Sequence, residues 1–445
     1  MTKMARVNLT EGKVLSVLLA LALPVMGSSA LQLTYNLVDM LLVGKLGSDA
    51  VASIGTSGFL IGVMNALNAC VVVGTGIKVS HTLGSNHDLE LKSYLNAGFR
   101  MNLGLAFLCS LVLIFLGKPF MAFLEISNPV VEKSSYQYLL GCAPMIVFSF
   151  LNFWYTRIYN SYGQNKSALK ISAVGGLLNL ILDPILIYGF KLGVVGAGLA
   201  TTIANLSMTL LFYYHSKALF HLDWRLKVNR KHYRTIARLG VPMSSQRIIF
   251  TLVSIGLAKM ITTFGTEAIA AQKIGLQIES ITYMVVGGLN GAIASFVGQN
   301  YGAYQYERIR QGFKVSLLIG GSYAIVTTFV FLLFPANLSA LFVQDTKTIE
   351  MAANYLKIVG VTQIFMVIEM ICNGTFVGLG IPKIPATISI VFTVLRLPIA
   401  WVLIQVIGVN GIWLSISLSM LFKGVVALIA YIKKYREGEW CVSST

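Results

Sequence analysis

The chain has 445 residues, of which 56% are hydrophobic and only 11% are charged. Soluble proteins carry roughly 25% charged residues, so this composition excludes a soluble enzyme and a disordered chain. The net charge of +17 does not indicate a nucleic-acid binder, because such proteins carry their basic residues on a solvated domain that this chain lacks. We expect an integral membrane protein built of helices, in which the excess of basic residues reports orientation.

Long apolar stretches separated by polar breaks recur along the whole chain. A membrane-spanning helix needs about 20 apolar residues, whereas spanning β-strands are shorter and alternate in polarity, so these stretches predict helices. The first of them could imitate a signal peptide, but comparable stretches follow it, which favours a first transmembrane helix. The twelve predicted spans are 14–43, 52–80, 94–117, 135–158, 167–190, 194–215, 239–264, 268–298, 315–335, 353–378, 385–406 and 411–432.

The basic residues are distributed unevenly between the two sides of the predicted membrane domain. Of the 34 lysines and arginines, 23 fall on the side of the two termini and five on the opposite side. The positive-inside rule therefore predicts that both termini are cytoplasmic. We expect an N-lobe of six helices at 1–215, a basic cytoplasmic linker at 216–238, a C-lobe of six helices at 239–432 and a cytoplasmic tail at 433–445.

The two predicted lobes repeat each other in sequence. The matched pairs, at offsets of 215 to 218, are Pro24 with Pro242, 79–84 with 297–302, 163–166 with 380–383 and 193–199 with 408–414. A tandem duplication with six spans in each half keeps its orientation, so we expect pseudo-two-fold symmetry about an axis along the membrane normal. Two such lobes around a cavity at the midplane are typical of alternating access.

Catalytic and metal-binding motifs are missing from the sequence. HExxH, GxSxG and Walker A patterns do not occur, and the five cysteines have no CxxC spacing. We therefore predict that the protein is not an enzyme and that it has no cofactor and no histidine or cysteine metal centre.

Acidic side chains inside apolar spans are the clearest functional candidates, because a charge at the bilayer centre costs about 2.5–3.5 kcal/mol. Asp39 lies on the same helical face as Gln32 and Tyr35. Pro24 removes a backbone hydrogen bond earlier in this span, so the helix can bend there. We predict a titratable carboxyl that faces a cavity; the alternative is a structural acid bonded to Tyr35 or Gln32. The four acids within spans are Asp39, Asp183, Glu279 and Glu369.

Asp183 has a comparable setting on the fifth span. Asn179 precedes it by one helical turn, and Pro184 follows it and leaves a backbone carbonyl without its hydrogen bond. An acid, an amide and a free carbonyl suit a cation pocket, although the same groups could satisfy one another in a bent helix. Ala197 and Thr201 lie one turn apart on the next span, where threonine more often serves helix packing.

The second half does not repeat this pair of acids. Leu257 and Leu397 stand at the matching positions, so the carboxylates are not part of the duplicated scaffold. Glu279 and Glu369 could face substrate or form structural ion pairs. Flexible methionines such as Met284 suit promiscuous apolar ligands, although each of them could equally face lipid. The basic residues that could pair with the two acids are Arg247, Lys273, Lys357, Arg396 and Lys423, with Arg247, Lys273 and Arg396 considered first.

On the basis of these residues, the chain resembles the multidrug and toxic compound extrusion (MATE) family over nearly its whole length. The resemblance implies an all-α membrane fold of twelve helices in two lobes, and export of organic, often cationic drugs in exchange for H⁺ or Na⁺. The seventh span lacks the acid of the NorM branch, so the chain looks more like the DinF branch, for which proton coupling is expected. The matching residues are Pro24, Gln32 and Asp39 on the first span, Asn179 and Asp183 on the fifth, Ala197 and Thr201 on the sixth, and 297–303 on the eighth.

We therefore expect a monomeric exporter of organic cations and other lipophilic drugs in the cytoplasmic (inner) membrane, without a nucleic-acid partner. In this hypothesis Asp39 and Asp183 take up a proton as a coupled pair, and the first span bends as the drug leaves. A proton supplies about 2.3 kcal/mol per 100 mV of membrane potential. The residues assigned to substrate contact and gating are Pro24, Gln32, Tyr35 and Met284.

Two alternatives remain open. The same pocket could exchange Na⁺, because its side chains supply the hard oxygen ligands that such an ion needs. A flippase for lipid-linked precursors would instead need several cations facing the cavity, for which Arg247, Lys273 and Arg396 are available. The possible sodium ligands are Asp39, Asn179, Asp183 and Thr201.

Overall fold

The computed structural model describes residues 8–123 and 129–436, which are helical almost throughout. Eleven helices are long and apolar enough to cross a membrane, and a pair of shorter helices that meet at a 53° bend makes a twelfth. This agrees with the twelve predicted spans, and the chain is a multi-pass, all-α membrane protein. The predicted lobe and tail residues 1–7, 124–128 and 437–445 lie outside the described residues.

Six spans form the first half, and the fifth changes its winding near its end. A π-helical turn, Ile185–Gly189, continues this helix directly after Pro184. Proline cannot donate the hydrogen bond of a regular turn, and single π-turns are common where a helix loses one. The helices are α1 Val14–Gly44, α2 Ser48–Gly84, α3 Asp88–Phe123, α4 Pro129–Ser161, α5 Asn165–Pro184 and α6 Gly193–Ser216.

The second half contains two interrupted spans. One is the bent pair, in which two helices flank residues 361–362, and the other is broken at Leu395, three residues before Pro398. The proline removes a helical hydrogen bond close to the second break. The helices are α7 Arg230–Ile261, α8 Thr266–Gly302, α9 Tyr306–Leu333, α10 Pro335–Ala340, α11 Thr346–Gly360, α12 Gln363–Gly378, α13 Lys383–Val394, α14 Arg396–Ile407 and α15 Val409–Arg436.

The chain packs as two compact units. The first contains Leu23–Ser244, and the second contains Leu9–Ala22 together with the chain from Ser245 onward. The helix that opens each half therefore belongs to both units: α1 changes unit just before Pro24, and α7 changes unit two residues after Pro242. Segment 216–238, which the sequence suggested as a linker, packs within the first unit.

Aromatic side chains form the centre of the first unit's core. Tyr155 stacks on Phe212 with ring centroids 5.6 Å apart, and Trp154 meets Phe220 edge-on at 6.0 Å. Because Phe220 belongs to the polar break after α6, this break is anchored by burial of an aromatic ring.

One repeated motif has a packing cause that is the same in both halves. A Cβ atom at Gly196 would overlap the backbone of Leu186, and a Cβ atom at Gly411 would overlap the backbone of Leu403. Each glycine lies at the start of the last helix of its half and faces the end of the preceding span. Glycine allows the two backbones to approach closely, which explains why the duplication retains it.

The early part of α7 lies equally close to α2 within the first unit. A Cβ atom at Gly240 would overlap the carbonyl oxygen of Cys70, and one at Gly74 would overlap the carbonyl oxygen of Ile236. Small residues on both helices therefore permit a backbone contact that larger side chains would prevent.

We expect Gly240→Ala to lower the stability of the protein by about 1–3 kcal/mol, because the added methyl group meets backbone atoms that cannot rotate away. The measurement is the midpoint of thermal unfolding in detergent. Gly104→Ala on α3 is the matched control, since its methyl group would meet nothing within 4 Å. A Gly240→Ala protein as stable as the Gly104→Ala protein would contradict this account of the α2–α7 contact.

Asp345 caps the beginning of α11 and lies outside the membrane-spanning segments. Its Oδ2 atom accepts hydrogen bonds from the hydroxyl of Thr348 at 2.7 Å and from the backbone N–H of Thr348 at 2.9 Å. The Thr348 hydroxyl, and then its N–H, lower the pKa of Asp345 below the ordinary value. A carboxyl with a depressed pKa stabilises the folded state above the unfolded value of about 3.9, and the stabilisation is lost as pH falls through the folded pKa.

We expect Asp345→Ala to speed amide hydrogen exchange in the first turns of α11 at pH 7, because the capping acceptor is lost. The difference in protection from the wild type should shrink as pH falls through the depressed pKa of the native Asp345 carboxyl, which lies below the ordinary value of about 3.9. Hydrogen-exchange mass spectrometry of peptides covering 346–352 measures both effects. Glu350→Ala on the exposed side of the same helix is the control, and equal protection at pH 7 in all three proteins would refute the cap.

Candidate functional site

A cavity of about 230 Å³ opens within the first unit between α1, α4, α5 and α6. No charged side chain is among its lining residues, and most of them are neutral hydrogen-bonding groups. Such a surface can orient a ligand through directed hydrogen bonds while its few apolar members supply contact area. The larger polar side chains of the lining are those of Gln32, Tyr35, Asn152, Asn160, Asn179 and Asn205.

Two carboxyl groups lie beside this cavity. Asp183 on α5 is only 1% exposed, and Asp39 on α1 is half-buried with its Oδ1 atom buried and without a hydrogen-bond partner. The two carboxyls lie close enough to interact electrostatically. Among the described residues, neither carboxyl forms an ion pair with a lysine, arginine or histidine. A pair of acids is therefore held in a region of low dielectric without a basic counter-charge.

Asn179 connects the acids to the cavity. Its Nδ2 atom donates to Asp183 Oδ1 at 3.2 Å and to Thr201 Oγ1 at 3.4 Å, while the residue also lines the cavity wall. Thr201 in turn donates to the carbonyl oxygen of Ala197 at 3.0 Å. The four residues predicted for α5 and α6 thus meet in one hydrogen-bonded group.

The residues predicted on α1 divide between the cavity and the acid pair. Gln32 and Tyr35 line the cavity, and their side chains are hydrogen-bonded to each other. Pro24 is buried beside Val25, a lining residue, whereas Asp39 stands one turn beyond Tyr35 and outside the lining. Met284 lies half-buried on α8 in the second unit and does not line this cavity.

The geometry adds residues that the sequence analysis did not single out. Asn152 Nδ2 donates to Asn205 Oδ1 at 3.0 Å, and Asn205 Nδ2 donates to the carbonyl oxygen of Thr201 at 2.9 Å, which extends the polar network along α6. The available signal was a run of polar residues at helical spacing within the apolar fourth span. These residues are Ser149, Asn152, Thr156 and Asn160.

Tyr138 is a second addition, close to the acids. It is 9% exposed on α4 and interacts electrostatically with both Asp39 and Asp183. A hydrogen bond joins Tyr138 to Cys142, one turn further along α4. The phenol of Tyr138 therefore lies in the electrostatic field of both carboxyls.

The two acids of the second unit have different partners, and Lys423 is among the basic residues considered from the sequence. Glu369 Oε1 lies 3.8 Å from Lys423 Nζ on α15. Glu279 is 1% exposed and accepts hydrogen bonds from the hydroxyl of Tyr355 at 2.7 Å and from Gln363 Nε2 at 3.5 Å. The sequence could not reveal these pairings, because they join helices that are distant along the chain.

The cationic residues considered for a flippase lie in different environments. Arg247 and Lys273 are exposed, whereas Arg396 is 5% exposed and its guanidinium lies 5.8 Å from the ring centroid of Phe250. Across residues 8–123 and 129–436, no group of three or more histidine, cysteine, aspartate or glutamate residues could hold a metal ion.

Comparison with known proteins identifies the family. The family model described as MatE matches the chain twice, at residues 24–185 and 242–402, with starts 218 residues apart as in the repeat that links Pro24 to Pro242. A probable multidrug resistance protein NorM from Thermotoga maritima is 25% identical over 95% of this chain and 92% of its own length.

Solved structures support the same fold. A mutant of the Vibrio cholerae MATE transporter VcmN matches with a TM-score of 0.91 at 21% identity, covering 95% of this chain and 97% of that one. The same transporter in its bent form matches with a TM-score of 0.89 at 22% identity and the same coverage. The chain belongs to the MatE family of multidrug efflux transporters and is not an enzyme.

Proposed function

We propose that the protein exports lipophilic and cationic compounds in exchange for protons, and that Asp39 and Asp183 carry the proton. The main support for this proposal is the pair of carboxyls, which lies beside a cavity and has no basic counter-charge. An uncompensated carboxylate in a low-dielectric interior is strongly unfavourable, so the pair gains by binding a proton or a cation. The two carboxyls interact, so they titrate as a unit.

The cavity suits a cation that must leave again. Its lining offers amide and hydroxyl groups together with the rings of Tyr35 and Phe153, and aromatic faces attract organic cations. The charge of the nearby acids strengthens this attraction while they are ionised. Protonation removes that charge, and Asn179, which bonds Asp183 and lines the cavity, passes the change to the ligand site. Binding of a proton to the acid pair and binding of a cationic drug to the cavity of the first unit would therefore oppose each other.

Bending of α1 near Pro24 would open or close this cavity. The helix carries Gln32 and Tyr35 on the cavity wall and Asp39 one turn further on. A proline inside a helix removes a backbone hydrogen bond and allows a kink. The ring of Tyr35 packs on Gly176 of α5, where the lack of a side chain leaves room for it to slide. Protonation of Asp39 would change how tightly this end of α1 is held.

Sodium exchange at the same site is the second candidate. Asp183, Thr201 and the carbonyl of Ala197 supply oxygen atoms within one hydrogen-bonded group, and such oxygens suit Na⁺. Asn179, however, turns its amide nitrogen toward both Asp183 and Thr201, so its oxygen is not available there. Asn179 would therefore contribute an oxygen ligand only if this amide reversed. Of the three cations that a flippase would use, Arg247 and Lys273 are exposed and Arg396 is buried.

The orientation and location follow the same proposal. The charge asymmetry of the connections supports cytoplasmic termini in a cytoplasmic (inner) membrane. The proposed working unit is a monomer.

The test is transport by the purified protein in proteoliposomes under separately imposed gradients. We expect a pH gradient at zero sodium to drive efflux of ethidium, and a protonophore to abolish it. A sodium gradient at equal pH on both sides should have no effect. Efflux driven only by the sodium gradient would select the sodium alternative, and transport of an anionic lipid instead of ethidium would overturn the drug-export proposal.

A further inference from the structure

Arg308 holds the segment that leads into α1. On α9 of the second unit, its Nη1 atom donates to the carbonyl oxygen of Gly12 at 2.7 Å, and its Nη2 atom donates to that of Glu11 at 2.6 Å and that of Leu9 at 3.4 Å. The guanidinium also lies over the ring of Phe296 at 5.5 Å. One planar cation thus binds three carbonyl groups within four residues of chain, a geometry that suits arginine's fork of donors.

Further contacts fasten the same segment to α8. Leu9 is fully buried, its N–H donates to Gln299 Oε1 at 3.3 Å, and its carbonyl oxygen accepts from Asn300 Nδ2 at 3.2 Å. Gln299 and Asn300 belong to the stretch 297–302 (Val-Gly-Gln-Asn-Tyr-Gly), one of the repeated motifs of the sequence. In the second unit this motif therefore holds the backbone of Leu9, a role that its sequence alone did not reveal.

A second arginine does the same for α7. Arg100 on α3 of the first unit donates through Nη2 to the carbonyl oxygens of Trp224 at 2.8 Å, Leu226 at 2.9 Å and Asp223 at 3.3 Å. The N–H of Asp223 donates to Asn96 Oδ1 at 2.9 Å, as the N–H of Leu9 donates to Gln299. Each half therefore has an arginine clamp on the segment that precedes its first helix.

The two clamps hold the beginnings of α1 and α7, and each of these helices continues from one unit into the other. The first turns of α1 are buried in the second unit through Leu18 and Leu21, whereas the rest of the helix, including Tyr35 and Asp39, belongs to the first unit. The beginning of α7 is likewise held by the first unit, and the rest of α7 belongs to the second. Each clamp thus fixes a helix to one unit while that helix continues into the other.

We infer that Arg308 is a positioning residue for transport, which rests on the export mechanism proposed above. By holding the carbonyls of residues 9–12, it makes the beginning of α1 move with the second unit. A change between the units is then taken up within α1, where Pro24 is the weakest point and lies next to the cavity. Without the clamp the beginning of α1 could slip, and the bend at Pro24 would not follow. Arg100 acts in the same way on α7 and Pro242.

The experiment compares Arg308→Ala, Arg308→Lys and Arg100→Ala with the wild type in proteoliposomes. For Arg308→Ala we expect the maximal rate of pH-driven ethidium efflux to fall about tenfold, the loss given by about one charged hydrogen bond. Its KM for ethidium should stay within about twofold of the wild type, because the cavity is untouched. Arg308→Lys keeps the charge but loses the fork, so its rate should be intermediate. Arg100→Ala should lower the rate in the same way.

Hydrogen exchange distinguishes a clamp from a general loss of structure. In Arg308→Ala, amides of residues 9–22 should exchange about tenfold faster while peptides of α4 keep their protection. Arg310→Ala is the matched control, because Arg310 lies two residues further along the same helix and its contacts, an ion pair with exposed Glu307 at 3.5 Å and the ring of Tyr435 at 5.3 Å, do not involve residues 9–22. It should leave both the efflux rate and the exchange of residues 9–22 unchanged.

Two results would overturn the inference. One is a wild-type efflux rate in Arg308→Ala despite faster exchange of residues 9–22, and the other is unchanged exchange of that segment. Failure of the wild-type protein to export ethidium under either gradient would count against the proposed function instead. In that case the exchange data would still decide whether Arg308 holds the segment.

Discussion

Asp39→Asn is expected to abolish pH-driven efflux of ethidium, with a fall in the initial rate of roughly a hundredfold, the effect that loss of a positioned proton-transfer group has in enzymes. The substitution keeps the size of the side chain and removes its ability to carry a proton. The Oδ1 atom of Asp39 is buried and has no hydrogen-bond partner, so no structural bond is lost at that atom. Efflux from proteoliposomes under an imposed pH gradient is the measurement.

Asp183→Asn should show the same loss, because the two carboxyls interact and, in the proposed mechanism, share the proton. Asp88→Asn, at the exposed start of α3, is the matched control and should transport at the wild-type rate. Binding of ethidium to the purified variants, followed by fluorescence, separates coupling from affinity. Full gradient-driven efflux by Asp39→Asn would exclude this carboxyl as the proton carrier.

The second large effect is expected at the buried ion pair of the second unit. Lys423 and Glu369 lie 3.8 Å apart with side-chain exposures of only 5% and 16%. Lys423→Met removes the ammonium and leaves Glu369 as an unpaired buried charge, which costs about 3–5 kcal/mol. We expect the midpoint of thermal unfolding to fall accordingly. The double variant Lys423→Met with Glu369→Gln should recover most of the loss, because no uncompensated charge remains.

An exposed pair provides the comparison. Lys347 and Glu267 lie closer together, at 3.3 Å, but their side chains are 69% and 37% exposed. Water screens this pair, so Lys347→Met should cost no more than about 1 kcal/mol. The difference between the two substitutions therefore measures the effect of burial rather than of distance. Equal shifts for Lys423→Met and Lys347→Met, or no recovery in the double variant, would show that the buried pair is not a source of stability.

Much of the architecture was predictable because a membrane helix is specified locally. Twenty or so apolar residues must form a helix in lipid, since only a helix satisfies its own backbone groups there. The bend between α11 and α12 was not foreseen, although it lies inside a single predicted span. A continuous apolar stretch indicates that a segment lies in the membrane. It does not reveal a break of two residues in the helix, because apolar residues continue on both sides of the break.

For the candidate site, the residues on one helix were easier to recognise than those from several. Asp183 and Asn179 are one turn apart, and the cost of a buried acid singled them out without a structure. Tyr138 and Asn205 were missed because single polar residues on a span are common, and each becomes significant only beside α1 or α5. Met284 was selected by residue type alone, and it lies in the other unit.

The sequence by itself determined the number of spans, the duplication and the two acids of the first half, because each depends on residue type and on spacing along one chain. The tertiary structure decided which polar groups share a cavity, that Lys423 rather than Arg396 pairs with Glu369, and that α1 and α7 each belong to two units. These features arise from contacts between helices that are far apart in sequence. Their geometry depends on how the helices pack, and the hydrophobic pattern carries no record of it.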